Sequence, residues 1–475
     1  MQYLRLHFKL TDMKIHLTFK ISVFVLLLSF ASFAQTNRVV FGKTVQSINP
    51  ANGKIRCVSP EYEQALQQKF PQRATSEQFE NWIAPKVAAI TQRMETSRDI
   101  NTVVTIPVVV HVIHNGDAVG VNENVSDARI LSQITTLNQD FRRMLGTPGY
   151  NTNAVGADVE IEFCMAQRKP NGTATNGIDR VNLGVAQWGS ETQVEGTLKP
   201  GTSWDPTQYF NIWICEFSDD ENADLYGVLG YAQFPSNSGL GGMNANEGPA
   251  NTDGVIIDWR CFGSSTYAPG YYFDDYDKGR TATHEIGHCF GLIHIWGDNT
   301  SCTVNATDSN KDYCLDTPAA RTEHYDCAQV YNSCTAAAGN DMTENYMDYS
   351  NDTCMHVFTA NQKARIQAVV QNATRRASLT TSMACQAPLK TSEFELFENV
   401  NLSPNPAADF IGINISDNNL PDSYKVYNAI GQVVAAKNIQ STADLSINTA
   451  AYGKGVYFIA LAKGNATKTL QFIKN

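Results

Sequence analysis

Residues His284–His294 read H-E-I-G-H-C-F-G-L-I-H, and this run decides the fold. On a helix, His284 and His288 leave the same face one turn apart, and Glu285 lies beside them, placed to hold a water. Gly291 can adopt the left-handed conformation that ends a helix, and the turn brings His294 back as a third nitrogen ligand. Three neutral imidazoles leave one tetrahedral position open, as catalytic zinc sites do. The run therefore predicts a catalytic zinc site.

A second motif lies downstream of this run. The extended pattern H-E-x-x-H-x-x-G-x-x-H is typical of metzincin peptidases, which also hold a methionine in a tight turn beneath the metal. Residues 344–349 read E-N-Y-M-D-Y and place Met347 in that role. The alternative is a buried amphipathic helix whose histidines bond to one another. That alternative does not explain Glu285, because glutamate is rarely buried without a partner.

The overall composition limits the other possibilities. A chain of 475 residues with 43% hydrophobic and 17% charged residues is typical of several globular domains. The formal net charge of −11 argues against nucleic acid or an anionic membrane surface as a partner. We therefore expect globular domains whose partners are neither nucleic acid nor an anionic membrane surface.

The N-terminus has the pattern of an export signal. Lys14 and Lys20 precede the apolar stretch 21–30, and residues 32–34 are suited to cleavage after Ala34. The apolar stretch is too short to span a bilayer. We therefore expect residues 1–34 to be a signal peptide, the mature protein to lack a transmembrane segment, and its location to be secreted or cell-surface, reached through the periplasm.

Cysteine usage agrees with export. Eleven cysteines are more than a cytosolic enzyme without a metal cluster usually carries. Cys164 and Cys215 lie in apolar strands and are expected to be buried thiols. Disulfides are expected in the loop-rich region after the zinc helix, which contains Cys302, Cys314, Cys327, Cys334 and Cys354.

Cys57 lies upstream of the catalytic segment, in the sequence K-I-R-C-V. A thiolate is a strong zinc ligand, so a propeptide cysteine can occupy the water's position and keep the enzyme latent. Arg56 beside it fits a contact with acidic residues near the cleft. Activation would then require cleavage before the first catalytic strand, with Arg93 and Arg98 as candidate sites. The alternative is a stray cysteine in a poorly ordered segment.

The middle of the chain predicts a domain with mixed strands and helices. Residues 106–112 form a continuous β-branched run, which indicates a strand buried on both faces. His111 and His114 in and after that strand are interpreted as structural. The other predicted elements are a helix with apolar residues from Ile130 to Phe141 and Ser126 or Asp127 as its cap, half-buried strands at 159–165 and 210–214, a short strand at 255–257, the zinc helix at about 280–290, and a helix opened by a capping box at 359–362.

Several of these runs carry a family resemblance. The runs are I-P-V-V-V-H-V at 106–112, N-I-W at 211–213, G-Y-A at 230–232 and D-G-V at 253–255. Together with the zinc motif and N-Y-M-D-Y, they resemble the pappalysin family of metzincin metallopeptidases over roughly residues 55–375. The resemblance implies an α/β (α+β) metzincin-like catalytic domain with a twisted mixed sheet and a zinc helix.

The resemblance also implies roles for individual residues. His284, His288 and His294 would bind zinc, Glu285 would be the general base and acid, and Met347 would form the hydrophobic base under the metal. Tyr349 matches a tyrosine whose hydroxyl can approach the scissile carbonyl. The resemblance implies two disulfides, Cys302–Cys334 and Cys327–Cys354. It also implies a calcium site, for which Asp308, Asp312 and Asp316 are the candidate ligands. Asp352 would be a specificity residue that favours Arg or Lys after the scissile bond.

The predicted function is therefore that of a secreted zinc-dependent endopeptidase, made as a latent proenzyme. Glu285 would assist the attack of zinc-bound water on a peptide carbonyl in protein or peptide substrates. Residues 35–98 would be the propeptide and residues 99–385 the catalytic domain. The alternative is a surface adhesin or binding protein on an inactive metzincin scaffold, which has no need of Glu285.

After Cys385 the pattern changes to short strands separated by Gly, Asn and Asp turns. Residues 386–400 resemble a linker, and residues 401–475 predict a small all-β sandwich. L-S-P-N-P at 402–406, G-V-Y at 455–457 and Lys474 resemble the C-terminal sorting domain of the type IX secretion system, whose machinery would be a partner. The alternative is a carbohydrate- or protein-binding sandwich.

Overall fold

The computed structural model describes residues 38–45, 47–96, 103–235, 249–304, 312–388, 400–415, 420–464 and 466–475. The predicted signal peptide, Arg98, Asp308 and most of the predicted linker lie outside these ranges. The chain divides into two compact units, residues 1–386 and residues 387–475.

A mixed sheet forms the centre of the first unit. Within the described residues its main strands run in the order Ile161–Met165, Val104–His114, Phe210–Cys215, Gly254–Asp258 and Gly230–Ala232, and Ile178–Asn182 also pairs with Val104–His114. All neighbours are parallel except Gly230–Ala232, which runs antiparallel to Gly254–Asp258. We call Gly230–Ala232 the edge strand. This mixed sheet, with the helices that pack on it, confirms the predicted fold class.

Two helices cover one face of the sheet. Helix Asp127–Phe141 begins at Ser126, whose side chain accepts a hydrogen bond from the backbone N–H of Arg129, so Ser126 is the cap. Helix Arg280–Cys289, which we call the metal helix, is buried along its whole length. Apolar residues of both helices share one core with one face of the strands. Helix Ala360–Asn372 begins with the predicted capping box of Thr359 and Gln362, and helix Thr374–Leu379 follows it.

We call residues 38–96 the N-terminal segment. Its first part, up to helix Ser59–Lys69, covers the opposite face of the sheet, and helix Ser76–Thr96 packs on helix Ala360–Asn372. This segment contains a short hairpin, Val39–Val40 with Lys43–Thr44, and helices Ser59–Lys69 and Ser76–Thr96. Apolar side chains of the hairpin and of helix Ser59–Lys69 join those of the sheet in a second core. A run of short helical turns also packs there: Glu191–Gln193, the π-helical Val194–Leu198, and Lys199–Thr202.

The second unit is all β, as predicted. One antiparallel sheet contains Asn401–Ser403, Phe410–Asn414 and Ser446–Asn448; the other contains Val433–Asn438, Ser423–Asn428, Gly455–Lys463 and Ala466–Lys474. Buried residues from both sheets form a single apolar cluster. Tyr424 lies in that cluster, and Tyr452 and Tyr457 pack against it, in keeping with a core role for these rings.

Two local predictions are wrong. Strand Phe210–Cys215 is buried at every residue and not half-buried, because it lies between two other strands with cores on both faces. Cys164 is not a free thiol: it forms a disulfide with Cys385, which ties strand Ile161–Met165 to the end of the first unit. Cys215 is a free, buried thiol, as expected.

Candidate active site

Three imidazoles converge at the end of the metal helix. The Nε2 atoms of His284, His288 and His294 lie 3.1 to 3.2 Å from one another. Gly291 has φ +85°, and this left-handed turn returns the chain so that His294 faces the other two histidines. Tetrahedral Zn–N bonds of about 2.0–2.1 Å place two ligand nitrogens about 3.3 Å apart. The spacing of these nitrogens therefore suits a single metal ion.

Each imidazole is oriented through its other nitrogen. The Nδ1 atom of His284 lies 2.7 Å from the carbonyl oxygen of Tyr346. The Nδ1 atom of His288 lies 2.9 Å from the carbonyl oxygen of Leu292. The Nδ1 atom of His294 lies 2.5 Å from a carboxylate oxygen of Asp298. An Nδ1–H that donates to these acceptors leaves the Nε2 lone pair facing the common centre. Burial and the neighbouring histidines keep the pKa of His284 well below its usual value, so its ring is neutral.

Glu285 lies on the same helix, fully buried beside the imidazoles. Burial raises the pKa of its carboxyl group to about 7. Its Oε2 accepts hydrogen bonds from Ser59 Oγ at 2.7 Å and from Cys57 Sγ at 3.4 Å. Its Oε1 is buried without a hydrogen-bond partner among the described residues. A buried carboxylate with a vacant acceptor is suited to receive a proton from a molecule held at the site.

The turn that contains Met347 supports the metal helix from below. Met347 is fully buried, and a Cβ added at Gly287 would lie 2.6 Å from its Sδ. The helix therefore approaches the methionine as closely as a glycine permits. Tyr349 follows in the same segment, with its ring centroid 4.9 Å from that of His294. Its hydroxyl donates a 3.3 Å hydrogen bond to the carbonyl of Cys57.

Cys57 closes the site from the opposite side. Its Sγ and the three histidine nitrogens all lie within 4.8 Å of one another, and all four residues are buried. Ile55 pairs with Val228 next to the edge strand, and Ser59 Oγ accepts from the N–H of Ala232 at 2.8 Å. The N-terminal segment thus lies along the edge strand and over the candidate metal site.

Arg56 extends from Cys57 into a buried polar contact. One guanidinium nitrogen lies 2.8 Å from Asp352 Oδ1, and another donates at 2.9 Å to the carbonyl of Ser350. Asp352 Oδ2 accepts from the backbone N–H groups of Lys278 and Arg280, just before and at the start of the metal helix. The carboxylate proposed from sequence as a specificity residue is therefore paired with a basic side chain of the N-terminal segment.

The structure also contains the two disulfides implied by the resemblance, Cys302–Cys334 and Cys327–Cys354. Calcium is not supported. Asp312 accepts hydrogen bonds from the N–H of Cys314 and the hydroxyl of Thr317, and Asp316 binds Thr359 and Asn361 in the same way. These carboxylates satisfy donors of the protein itself, which removes the reason to assign them to a cation.

His324 is a site that sequence reasoning missed. Its Nε2 lies 3.0 Å from Asp341 and its Nδ1 3.0 Å from Asp348, directly after Met347. Against the opposing effect of burial, these two carboxylates raise the pKa of His324 to about 9. The resulting ion pairs connect the disulfide-linked loops to the methionine turn. No local sequence pattern indicates these pairs, because they form only when the loops between residues 324 and 348 fold.

Comparison with known proteins identifies the family. Residues 198–371 match the family model described as pregnancy-associated plasma protein-A. An extracellular metalloprotease of Arthroderma benhamiae is 30% identical over 299 residues, 62% of this chain and 86% of the relative. The chain belongs to the pappalysin family. It is accordingly a metallopeptidase, and the family implies zinc at the histidine cluster.

Two solved structures are similar to this chain. Mature mirolysin of Tannerella forsythia, solved with a cleaved peptide, is 35% identical; the match has a TM-score of 0.50 and covers 62% of this chain and all of mirolysin. A promirolysin mutant is 32% identical with a TM-score of 0.52, and the match covers 68% of this chain and 97% of promirolysin.

The C-terminal unit of this pappalysin has a separate match. Residues 401–475 match the secretion system C-terminal sorting domain. This domain assigns the protein to type IX secretion and thus to the cell exterior or surface. Within the part of the chain that the structure describes, no helix is both long and apolar enough to cross a membrane.

Proposed function

We propose that the chain is a zinc endopeptidase made as a latent proenzyme, in which Cys57 and the three histidines hold the metal. One observation carries the proposal: the thiol of Cys57 lies within 4.8 Å of three imidazole nitrogens, with Glu285 beside them. Three nitrogens and one sulfur are a donor set that zinc accepts in tetrahedral sites. Removal of the N-terminal segment would leave the three-histidine site with an open position.

Glu285 would then transfer a proton from the attacking water to the leaving amine. Zinc, when bound, supplies the Lewis acid that lowers the pKa of a water molecule to about 7 and polarises a peptide carbonyl. Glu285 has a raised pKa of about 7, so near neutral pH its carboxylate can accept a proton and later return it to the leaving amine. In the structure, Ser59 and Cys57 occupy Oε2, and removal of the N-terminal segment would leave both carboxylate oxygens available.

Tyr349 would position the carbonyl oxygen of the substrate. Its hydroxyl already donates to a backbone carbonyl, that of Cys57. Burial, together with the nearby thiol and carboxylates, raises the pKa of Tyr349 well above its usual value. The phenol therefore keeps its proton near neutral pH and is available as a donor to developing negative charge.

The contact between Arg56 and Asp352 supports a preference for basic side chains. The buried carboxylate of Asp352 pairs with Arg56, so it would need a new cationic partner after the N-terminal segment leaves. Arg or Lys of a substrate supplies that charge. We therefore propose that Asp352 selects a basic residue after the scissile bond.

The proposed propeptide comprises residues 35–98 and the catalytic domain residues 99–385. The promirolysin match covers more of this chain than the mature mirolysin match, which supports a corresponding prosegment here. The adhesin alternative is not favoured, because the site retains Glu285 beside the histidines and the similar proteins are metalloproteases.

The test is cleavage of a diverse peptide library by the full-length protein, before and after limited trypsin treatment. Mass spectrometry would identify the cleaved bonds, and Glu285→Ala would be the matched control. Activity that appears after trypsin and disappears in the control is expected. Zinc binding without cleavage, after the N-terminal segment has been removed, would refute the proposal.

A further inference from the structure

Tyr62 of the N-terminal segment fills a pocket outside the metal site. Its side chain is 3% exposed, and its phenol donates to a carboxylate oxygen of Glu195. The hydroxyl oxygen of Thr252 lies 3.4 Å from the same phenol, and so does the side chain of Gln233. The ring packs against Tyr231 with centroids 5.2 Å apart. Tyr62 is the one member of this group that lies in the N-terminal segment.

The other members of this group form a cluster held by hydrogen bonds and an ion pair. Tyr231 donates a 2.7 Å hydrogen bond to Glu195 Oε1, and the ammonium group of Lys199 lies 2.6 Å from the same oxygen. Lys199 is completely buried and lies 4.3 Å from the centroid of the Tyr231 ring. Glu195 therefore has one oxygen bound by the catalytic domain and the other by Tyr62. We call the group of Glu195, Lys199, Tyr231, Gln233 and Thr252 the phenol pocket.

The phenol pocket lies beside the cleft. Ser59, which bonds to Glu285, precedes Tyr62 on the same helix by about one turn. Tyr231 is the central residue of the edge strand, and Ala232 of that strand donates to Ser59. A peptide that binds along the edge strand therefore passes within one side-chain length of the pocket.

We propose that, in the activated enzyme, this pocket is a specificity subsite for a tyrosine side chain of the substrate, in the place that Tyr62 holds in the structure. The inference rests on the proposed function, since it requires the N-terminal segment to leave. Its departure removes Tyr62 and Phe41, both of which contact the Tyr231 ring edge to face. An aromatic surface and the second oxygen of Glu195 then become available together.

The chemistry favours tyrosine over phenylalanine. The side chain of Glu195 is partly exposed, and a tyrosine ring that covers its free carboxylate oxygen excludes water from it. The phenol then supplies the hydrogen bond that phenylalanine cannot supply. Burial and the charge of Glu195 raise the pKa of Tyr62 well above its usual value, which shows that this environment keeps a phenol protonated as a donor. The apolar ring of either residue packs equally on Tyr231.

The first test uses the trypsin-activated wild-type protein and a peptide library randomised on both sides of the scissile bond. At one position, tyrosine should be selected, and matched peptides should give kcat/KM at least about tenfold higher for tyrosine than for phenylalanine or O-methyltyrosine. Equal rates for all three at every position would overturn the inference. Absence of any cleavage sensitive to Glu285→Ala would refute instead the proposed function.

Variants of Glu195 and Lys199 test whether the phenol pocket causes the preference for tyrosine. Glu195→Gln weakens the acceptor, and Glu195→Gln with Lys199→Met removes the ion pair without leaving a buried charge alone. In both, the ratio of tyrosine to phenylalanine should fall towards one. Glu162→Gln on the opposite edge of the sheet, where Glu162 pairs with Arg142, should leave the ratio unchanged. An unchanged ratio in both Glu195 variants would overturn the assignment.

A binding measurement does not depend on catalysis. A labelled peptide of residues 55–69 would be titrated into the Glu285→Ala chain after trypsin removal of the N-terminal segment. Replacement of Tyr62 by phenylalanine should weaken binding at least about tenfold. Equal affinities for the two peptides would refute recognition of the phenol, whatever the activity of the enzyme.

Discussion

Ser59 Oγ donates a 2.7 Å hydrogen bond to Oε2 of Glu285 and accepts one of 2.8 Å from the N–H of Ala232. The hydroxyl group of Ser59 is therefore hydrogen-bonded both to the carboxylate beside the metal site and to a backbone N–H of the edge strand. Both groups are ones that a bound substrate would need. The latency that we propose thus involves the base and the edge strand as well as the fourth metal position.

Gly287 tests the contact between the metal helix and the methionine turn. Gly287→Ala places a Cβ 2.6 Å from Met347 Sδ, and overpacking of this kind costs about 1–3 kcal/mol. We expect a lower melting temperature and weaker zinc binding, measured by calorimetry and by competition with a chelator. Gly196→Ala is the control, because nothing lies within 4 Å of the added Cβ. Equal stability of the two variants would show that the contact is not tight.

We expect the ion pairs of His324 to make a pH-dependent contribution to the free energy of unfolding. Its pKa is raised to about 9 in the folded protein, against about 6.5 when unfolded. The stabilisation is therefore complete below pH 6.5 and is lost as the pH rises through 9. The difference in unfolding free energy between wild type and His324→Gln should be about 1–3 kcal/mol at pH 6 and much smaller at pH 10. A difference that is independent of pH would contradict the assigned ion pairs.

Glu80 anchors the second helix of the N-terminal segment to the catalytic region. Its carboxylate pairs with the buried guanidinium of Arg365, which also donates to the carbonyl of Gly291. Loss of one partner of a buried pair costs about 3–5 kcal/mol. Glu80→Gln should therefore speed trypsin activation severalfold, followed by gel and activity. Glu77→Gln, on an exposed position of the same helix, is the control. Identical time courses would argue against the anchor.

Asp352 tests the proposed preference for basic residues. In the activated enzyme, Asp352→Asn should reduce kcat/KM for peptides with Arg or Lys after the scissile bond by about 10²-fold, because a charged hydrogen bond is lost. Peptides with an apolar residue there should be affected much less. The ratio between the two classes is the measurement, because Asp352 also binds the backbone at the start of the metal helix. An unchanged ratio would exclude Asp352 as the specificity residue.

Most of the correct predictions came from short sequence motifs. The spacing of the histidines and Gly291 was enough to predict a helix followed by a turn, because both depend on local backbone geometry. Strand 106–112 was evident from its β-branched run. The edge strand was not predicted from periodicity, since three residues are too few for such a signal; its run G-Y-A entered only as part of the family resemblance.

Other features depend on contacts between distant parts of the chain. The disulfide from Cys164 to Cys385 spans 221 residues, and no local pattern indicates that pairing. The two helices of the N-terminal segment were not predicted, because each has only three buried residues and therefore a weak apolar pattern. The phenol pocket joins Tyr62 to Glu195 and Tyr231, three residues that only the folded chain brings together.

The most direct test of the account is the metal coordination of the full-length protein with cobalt in place of zinc. Cobalt bound by a thiolate gives an absorption band that cobalt bound by histidines alone does not give. We predict that band in the wild type, and its loss in Cys57→Ala and after removal of the N-terminal segment, with Cys215→Ala unchanged because that thiol is buried elsewhere. The same spectrum in wild type and Cys57→Ala would contradict Cys57 as the fourth ligand.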